Sequence, residues 1–323
     1  MPKAYNLIPP MHYTILDRTG FRVSRMGLGC GGHSRLGLRT GTIENAAQIV
    51  REAFELGVNF FDTAESYGTE EAVSKGLEGI PRDQVVLSTK VGATSEEGDV
   101  TPTQLRTRLE GCLARLQTDY VDVFHLHGVL SSEYAYAREV LVPEMTKFKE
   151  EGKIRAIGIT EAFIPEPDHR MLVPSLAEDD CWDVVMLGFS LLNQSARQTI
   201  LPLTQAKGIG TLCMFAVRRA LSQPAILIEL MQGLVTNGLI EPSEFDPADP
   251  LAFLTNDGVA ESLQEAAYRY CLWEPGIDVV LSGTGNIDHL RQNVEFLSRN
   301  PLPKEVLSRL ANLFAKVDSV SGN

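Results

Sequence analysis

The sequence predicts an α/β fold, a single (β/α)8 TIM barrel, from two observations. Short apolar runs alternate with amphipathic stretches, and eight such runs follow one another almost to the C-terminus. The runs are RMGLGC near Met26, NFFD, VVLSTK, YVDVFHLH, IRAIGIT, WDVVMLG, GTLCMF and IDVVLSG. They are continuously apolar, as strands of a parallel sheet covered on both faces must be. Between them, IENAAQIVREAFELG, PTQLRTRLEGCLARL and AREVLVPEMTKFKEEG carry apolar residues at three- and four-residue spacing, the helix period. With 323 residues, 44% of them hydrophobic, the chain can bury one large core, and residues 1–323 read as one domain with no linker.

Two segments stand outside the repeat. Residues 11–24 (MHYTILDRTGFRVS) alternate apolar and polar positions around Arg18-Thr19-Gly20, which predicts a β-hairpin capping the barrel bottom. A long loop insertion after strand 7, between residues 215 and 258, contains LIELMQGLV and EPSEFDPADP. Loops of that length inside compact domains are often lids or binding loops.

Composition excludes several classes of partner. A net charge of −13, with both signs interspersed, argues against nucleic acid, whose phosphates need a basic surface. No apolar run approaches the roughly 20 residues of a membrane-spanning helix, and MPKAYNLIPPMHYTILDRTG has no signal-peptide core. Five scattered cysteines (Cys30, Cys112, Cys181, Cys213 and Cys271) form neither a CxxC pair nor a disulfide framework. These features predict a cytoplasmic protein, monomer or homo-oligomer, with neither nucleic acid nor membrane as partner.

The chemistry lies at the predicted strand ends, where barrel active sites are built. Asp62-Thr63-Ala64-Glu65-Ser66-Tyr67-Gly68 follows NFF, the next strand is read as ending at Lys90, and the one after at His127. An acid, a phenol, an ammonium and an imidazole would therefore meet at one mouth. A phenol titrates near about pH 10, and a neighbouring ammonium lowers that value by stabilising the phenolate. Asp62 would hold Lys90 charged, and His127 would polarise a substrate oxygen. No side chain carries hydride, so a cofactor must supply it.

Two other readings use the same residues. Gly27-Leu28-Gly29-Cys30-Gly31-Gly32 fits GxGxxG, but a dinucleotide-binding Rossmann unit needs a helix straight after the glycines, and HSRLGLRTG follows instead. His125 and His127, two apart on a strand, point to one face and would suit a metal-dependent hydrolase, given further ligands at other strand ends.

DTAESYG, STK, DVFHLH and the C-terminal GTGNIDHLRQN together resemble the aldo-keto reductase superfamily, from the hairpin to Asn293. The resemblance implies an NAD(P)H-dependent oxidoreductase interconverting aldehydes or ketones, sugars included, with alcohols. Tyr67 would be the general acid–base, tuned by Lys90 and Asp62, with His127 orienting the carbonyl. NADPH is the implied cofactor, with NADH as the alternative. The implied cofactor contacts are Gly31, Gly32, Asp62, Thr160, Glu161, Met186, Met214, Phe215, Ser282, Gly283, Thr284, Gly285, His289 and Asn293. Within these, GTG amides and the helix starting near Ile287 would hold phosphate, and Asn293 would meet adenine. The chain departs from the family at several of them. Thr160, Glu161 and Met186 stand where Ser, Asn and Gln usually hold the carboxamide, Met214 replaces a stacking Tyr, and His289 replaces an Arg that clamps the 2′-phosphate. Arg291 is the alternative phosphate ligand. A non-catalytic subunit on the same fold would be marked by a damaged tetrad, and this one is intact. Substrate identity lies in residues 127–136, residues 162–169 and the insertion.

Overall fold

The computed structural model describes residues 10–256 and 258–323. Eight strands close into a barrel: β1 (Met26–Gly29), β2 (Phe60–Asp62), β3 (Val86–Gly92), β4 (Val121–Val129), β5 (Ile154–Glu161), β6 (Val184–Gly188), β7 (Gly210–Met214) and β8 (Val279–Ser282). Each pairs in parallel with its sequence neighbours, and β8 closes on β1 through Val280↔Met26, Leu281↔Gly27 and Ser282↔Leu28. The eight apolar runs are these eight strands. Around them lie α1 (Ile43–Glu55), α2 (Glu70–Gly76), α3 (Pro102–Leu116), α4 (Val142–Glu150), α5 (Leu172–Glu178), α6 (Leu201–Lys207), α7 (Pro224–Thr236), α8 (Leu263–Leu272), α9 (Ile287–Leu297) and α10 (Lys304–Leu313). Among the described residues no helix is long and apolar enough to cross a membrane.

Local sequence explains why the helices start where they do. Thr42 caps α1 by accepting from Asn45 N, and Thr101 with Gln104 forms a reciprocal capping box ahead of Pro102 at the start of α3. The inner stripe of α1 (Ala46, Ala47, Ile49, Val50, Ala53) is buried against the strands. The insertion after β7 is no structureless loop: it contains α7, which buries Leu227, Met231 and Leu234.

The hairpin does plug the bottom. Tyr13–Ile15 pairs antiparallel with Arg22–Ser24, and Gly20 turns the chain at φ 70°. Leu16, Phe21 and Val23 join Phe60, Val86, Val184 and Val279, each the first residue of its strand, in one interior cluster. Gly210 must be glycine there, because a Cβ would stand 2.7 Å from the Leu16 side chain. The opposite, C-terminal mouth is left free for a site.

Two strands run past their predicted ends. β3 continues to Gly92 and β4 to Val129, because Val91 and Gly92 pair with Leu126 and His127. Lys90 therefore sits inside the barrel wall, fully buried, rather than at a rim.

Asp278, just before β8, makes a testable contribution at the bottom. Its Oδ2 accepts from Thr211 N at 2.8 Å. Burial, with added repulsion from Asp17, pushes its carboxyl up to about 6. The folded state thus keeps this proton to a higher pH than the unfolded chain, so stability falls as pH rises from about 4 to about 6 and stays reduced above. The shift corresponds to roughly 2–3 kcal/mol. Asp278→Asn keeps an acceptor for Thr211 and is expected to raise stability at pH 7.5 but not at pH 4. Urea unfolding at both values checks this, and an equal difference at the two would rule it out.

Candidate active site

The site begins where β2 ends. After Asp62 and Thr63 the chain turns through a single 3-10 turn, Glu65–Tyr67, stopped by Gly68 at φ 67°. That turn folds Tyr67 back over the mouth. Its ring lies against Gly31, where a Cβ would be 2.4 Å from a ring carbon, so glycine is required.

Below Tyr67 is a buried ion pair. Lys90 Nζ donates to Asp62 Oδ2 and to the Thr63 carbonyl, each at 2.7 Å, and Ser88 Oγ donates to Asp62 Oδ1 at 2.8 Å. Lys90 Nζ lies 4.8 Å from the centre of the Tyr67 ring. Tyr67 OH and His127 Nε2 are 3.3 Å apart, with the two rings edge to face. The four side chains predicted from three successive strand ends do meet at one point.

Burial governs their protonation. It pulls the Lys90 ammonium down, but Asp62 and Tyr67 together outweigh it and hold Lys90 above the usual lysine range. Burial likewise lifts the Tyr67 phenol, and Lys90 only partly opposes this, so the resting phenol lies above rather than below its ordinary value. The expected lowering by Lys90 is present and is outweighed. Burial and Lys90 push His127 down to about 3, which leaves it neutral at physiological pH. A protonated phenol beside a neutral imidazole and a fixed ammonium can deliver a proton to an oxygen lying against Tyr67 OH and His127 Nε2.

The tetrad opens into a cleft of about 1220 Å³. Of the sequence-predicted residues, Gly31, Gly32, Asp62, Tyr67, His127, Thr160, Glu161, Met186, Met214, Phe215, Gly283 and His289 line it, while Lys90 lies beneath. Ser282, Thr284, Gly285 and Asn293 are not part of its lining. Ser282 Oγ is instead held by Tyr268 OH at 2.9 Å and Asn293 Nδ2 at 3.0 Å, and a Cβ on Gly285 would be 2.7 Å from Gly37. Helix α9 does begin at Ile287, but Asn286 Oδ1 already accepts from the amides of Asp288 and His289. Arg291 faces α1, where its Nε donates to Glu52 at 2.8 Å.

Two cationic residues escaped sequence reasoning. Arg218 and Arg219 line the cleft at the entry to the insertion, with the Arg218 guanidinium 4.2 Å from the Phe215 ring centre and its Nε donating to Asn323 Oδ1 at 2.7 Å. A basic pair directly after a strand, in a chain of net charge −13, was the available signal. His125 is fully buried, its ring filling the space a Cβ on Gly158 would take, and among the described residues no three His, Cys, Asp or Glu side chains group as a metal site requires.

Comparison with known proteins follows the same geometry. Residues 25–314 match the profile of the aldo/keto reductase family. The chain is similar to L-galactose dehydrogenase of Arabidopsis thaliana, 32% identical over 86% of each chain. It is also similar to the probable aldo-keto reductase 1 of Glycine max, 30% identical over 88% of this chain and 83% of the other. Among solved structures, the holo form of aldo-keto reductase AKR11C1 from Bacillus halodurans superposes with a TM-score of 0.70 at 25% identity, over 94% of this chain and 96% of that one.

Proposed function

The chain belongs to the aldo/keto reductase family, and on that premise we propose that it is an NAD(P)H-dependent oxidoreductase interconverting a small aldehyde or ketone with its alcohol, with Tyr67 as general acid–base. One observation carries this reading: the phenol of Tyr67 sits between the buried Lys90–Asp62 pair and His127, at the head of an open cleft.

The cleft fits an extended dinucleotide. Its lining brings Asp62, Tyr67 and His127 together with Met214, Phe215, Gly283 and His289, and Arg218 and Arg219 add positive charge suited to a pyrophosphate. When bound, the nicotinamide supplies hydride. Everything else falls to side chains of the chain itself. His127, neutral, orients the carbonyl oxygen against Tyr67 OH. Tyr67 donates its proton to that oxygen as it gains charge, and Lys90, held by Asp62, stabilises the phenolate left behind. In the oxidative direction the same phenolate accepts the proton of the alcohol.

Similarity to a dehydrogenase named for L-galactose puts sugars in the test set. Titration with NADPH and NADH by fluorescence, then turnover with an aldehyde, a ketone and L-galactose, tests the proposal. Absence of binding to either dinucleotide would end it.

NADPH is the proposed preferred cofactor, though without an arginine at the position of His289, which is exposed at the edge of the cleft. Guanidinium–phosphate bonds are bidentate and charge-assisted, whereas a neutral imidazole offers a single weaker contact. His289→Arg is expected to tighten NADPH relative to NADH by about tenfold, the effect of one such bond. Dissociation constants for both cofactors check this. An unchanged ratio would place the 2′-phosphate elsewhere.

A further inference from the structure

A second constellation at the mouth has no part in the proton transfer described above. Glu161, the last residue of β5, is buried, and its Oε1 accepts from Gly188 N at the end of β6 at 2.7 Å. Both its oxygens lie 3.0 Å from Nδ1 of His169. A carboxylate only accepts, so Nδ1 carries the proton in this contact. His169 has no exposed surface, its Nε2 is buried without a partner, and its backbone is left-handed at φ 59°.

The pair acts on its surroundings through a row of rings. His169 stacks on Phe163, with centres 5.5 Å apart and planes at 27°. Phe163 fills the space over Gly188, where a Cβ would be 2.3 Å from its ring, and meets Phe215 edge-on at 5.3 Å. Phe215 is itself left-handed at φ 70°. Phe163, Ile164 and Phe215 border the cleft; Phe163 is only 2% exposed and backs the surface, whereas Ile164 is 56% exposed. Left-handed backbone outside glycine and an unpartnered buried nitrogen are both unfavourable. Their coincidence at one residue persists only where the surroundings over-determine it, which is typical of functional sites.

We propose that Glu161 and His169 are a positioning pair that locks residues 162–171, so that Phe163, held from behind, fixes Ile164 as a preformed apolar wall toward the substrate. The chemical class this selects is a carbonyl bearing an aryl group, in preference to a small aliphatic one. The proposal rests on the carbonyl-reducing activity of the preceding subsection.

Three substitutions separate positioning from ordinary packing. In His169→Asn the δ nitrogen replaces Nδ1 as donor, and asparagine tolerates φ near +60°. His169→Gln moves the donor one bond further out, and His169→Leu removes it. KM for benzaldehyde is expected to rise by about tenfold or more in the Leu and Gln variants, with kcat little changed, because a displaced wall weakens binding and not the chemistry. Acetaldehyde carries only a methyl group for an apolar wall to hold, so its KM should change little, and His169→Asn should behave as wild type with both. The proposal is overturned if a folded Leu variant keeps its benzaldehyde KM, if both aldehydes suffer alike, or if Gln rescues as well as Asn. Should Leu not fold, the Asn–Gln contrast decides alone. Should the wild type reduce neither aldehyde, the aryl preference is overturned, while the activity assignment stands or falls by dinucleotide binding, and hydrogen exchange tests the pair directly. Amides of residues 162–171 and Gly188 would exchange about tenfold faster in Gln than in Asn if the pair positions the loop, and alike if it does not.

Discussion

Tyr67→Phe is expected to lower kcat for aldehyde reduction by about 10²–10⁴-fold, the range for removing a general acid, while leaving NADPH affinity unchanged. The reasoning is local. The phenol oxygen is the atom 3.3 Å from His127 Nε2, whereas the Tyr67 ring packs against Gly31 and Lys90 Nζ through its carbon atoms. Phenylalanine keeps those ring contacts and loses the hydroxyl that carries the proton. Nothing nearby substitutes for it: His127 is held neutral, and Lys90 donates to Asp62 and Thr63. Because the lost interaction belongs to the transition state, kcat and kcat/KM should fall together. Steady-state kinetics with a generic aldehyde, beside a fluorescence titration of NADPH, provide the check. A variant as fast as wild type would remove Tyr67 from the chemistry.

Lys90→Met is expected to abolish turnover and also to destabilise the fold by about 3–5 kcal/mol, the usual effect of stripping one partner from a buried ion pair. Lys90 has no exposed side-chain surface and the Asp62 side chain has 4%. Without the ammonium, Asp62 keeps only the Ser88 hydroxyl among its present side-chain partners. Its folded-state pKa then rises further, since burial is already its largest perturbation and already upward. A raised carboxyl pKa penalises folding above the unfolded value and not below it, so the deficit should shrink as pH falls towards about 4. Lys90→Met with Asp62→Asn removes the orphaned charge and should recover much of the stability with none of the activity. Urea unfolding of the single and double variants measures the coupling. A double variant no more stable than Lys90→Met would show that the charge pair is not what Lys90 contributes.

The four side chains of the tetrad were legible because their types and spacing are chemically specific. Asp62 and Tyr67 lie on one short turn, and Lys90 and His127 occupy the next two apolar runs, so a barrel with strands in sequence order must bring them together. Their depth was not legible. VVLSTK looks finished at Lys90, and only pairing of Val91 and Gly92 with β4 shows that the lysine lies within the wall. That depth reverses the net effect on Tyr67: a rim ammonium would lower the phenol, whereas burial of the whole group raises it.

The cofactor positions divide in the same way. Residues in the C-terminal parts of strands, such as Thr160, Met186 and Met214, line the cleft because strand direction fixes where they point. At the end of β8, by contrast, Ser282 turns to Tyr268 and Asn293, because neighbours distant in sequence compete for it, and beyond the GTG turn Asn286 takes the first amides of α9. Arg218 and His169 were passed over for a related reason. An Arg-Arg pair and a loop histidine carry no period or motif, and only the folded chain places Phe215 and Glu161 beside them.

Period and chemistry, properties of neighbours along the chain, determined by themselves the barrel, its hairpin plug and the membership of the tetrad. Tertiary structure alone decided burial, and through it the protonation of Tyr67 and His127, the partners of Ser282 and the Glu161–His169 contact. The reason is physical: dielectric surroundings and hydrogen-bond competition depend on atoms brought close by folding, which no local pattern encodes.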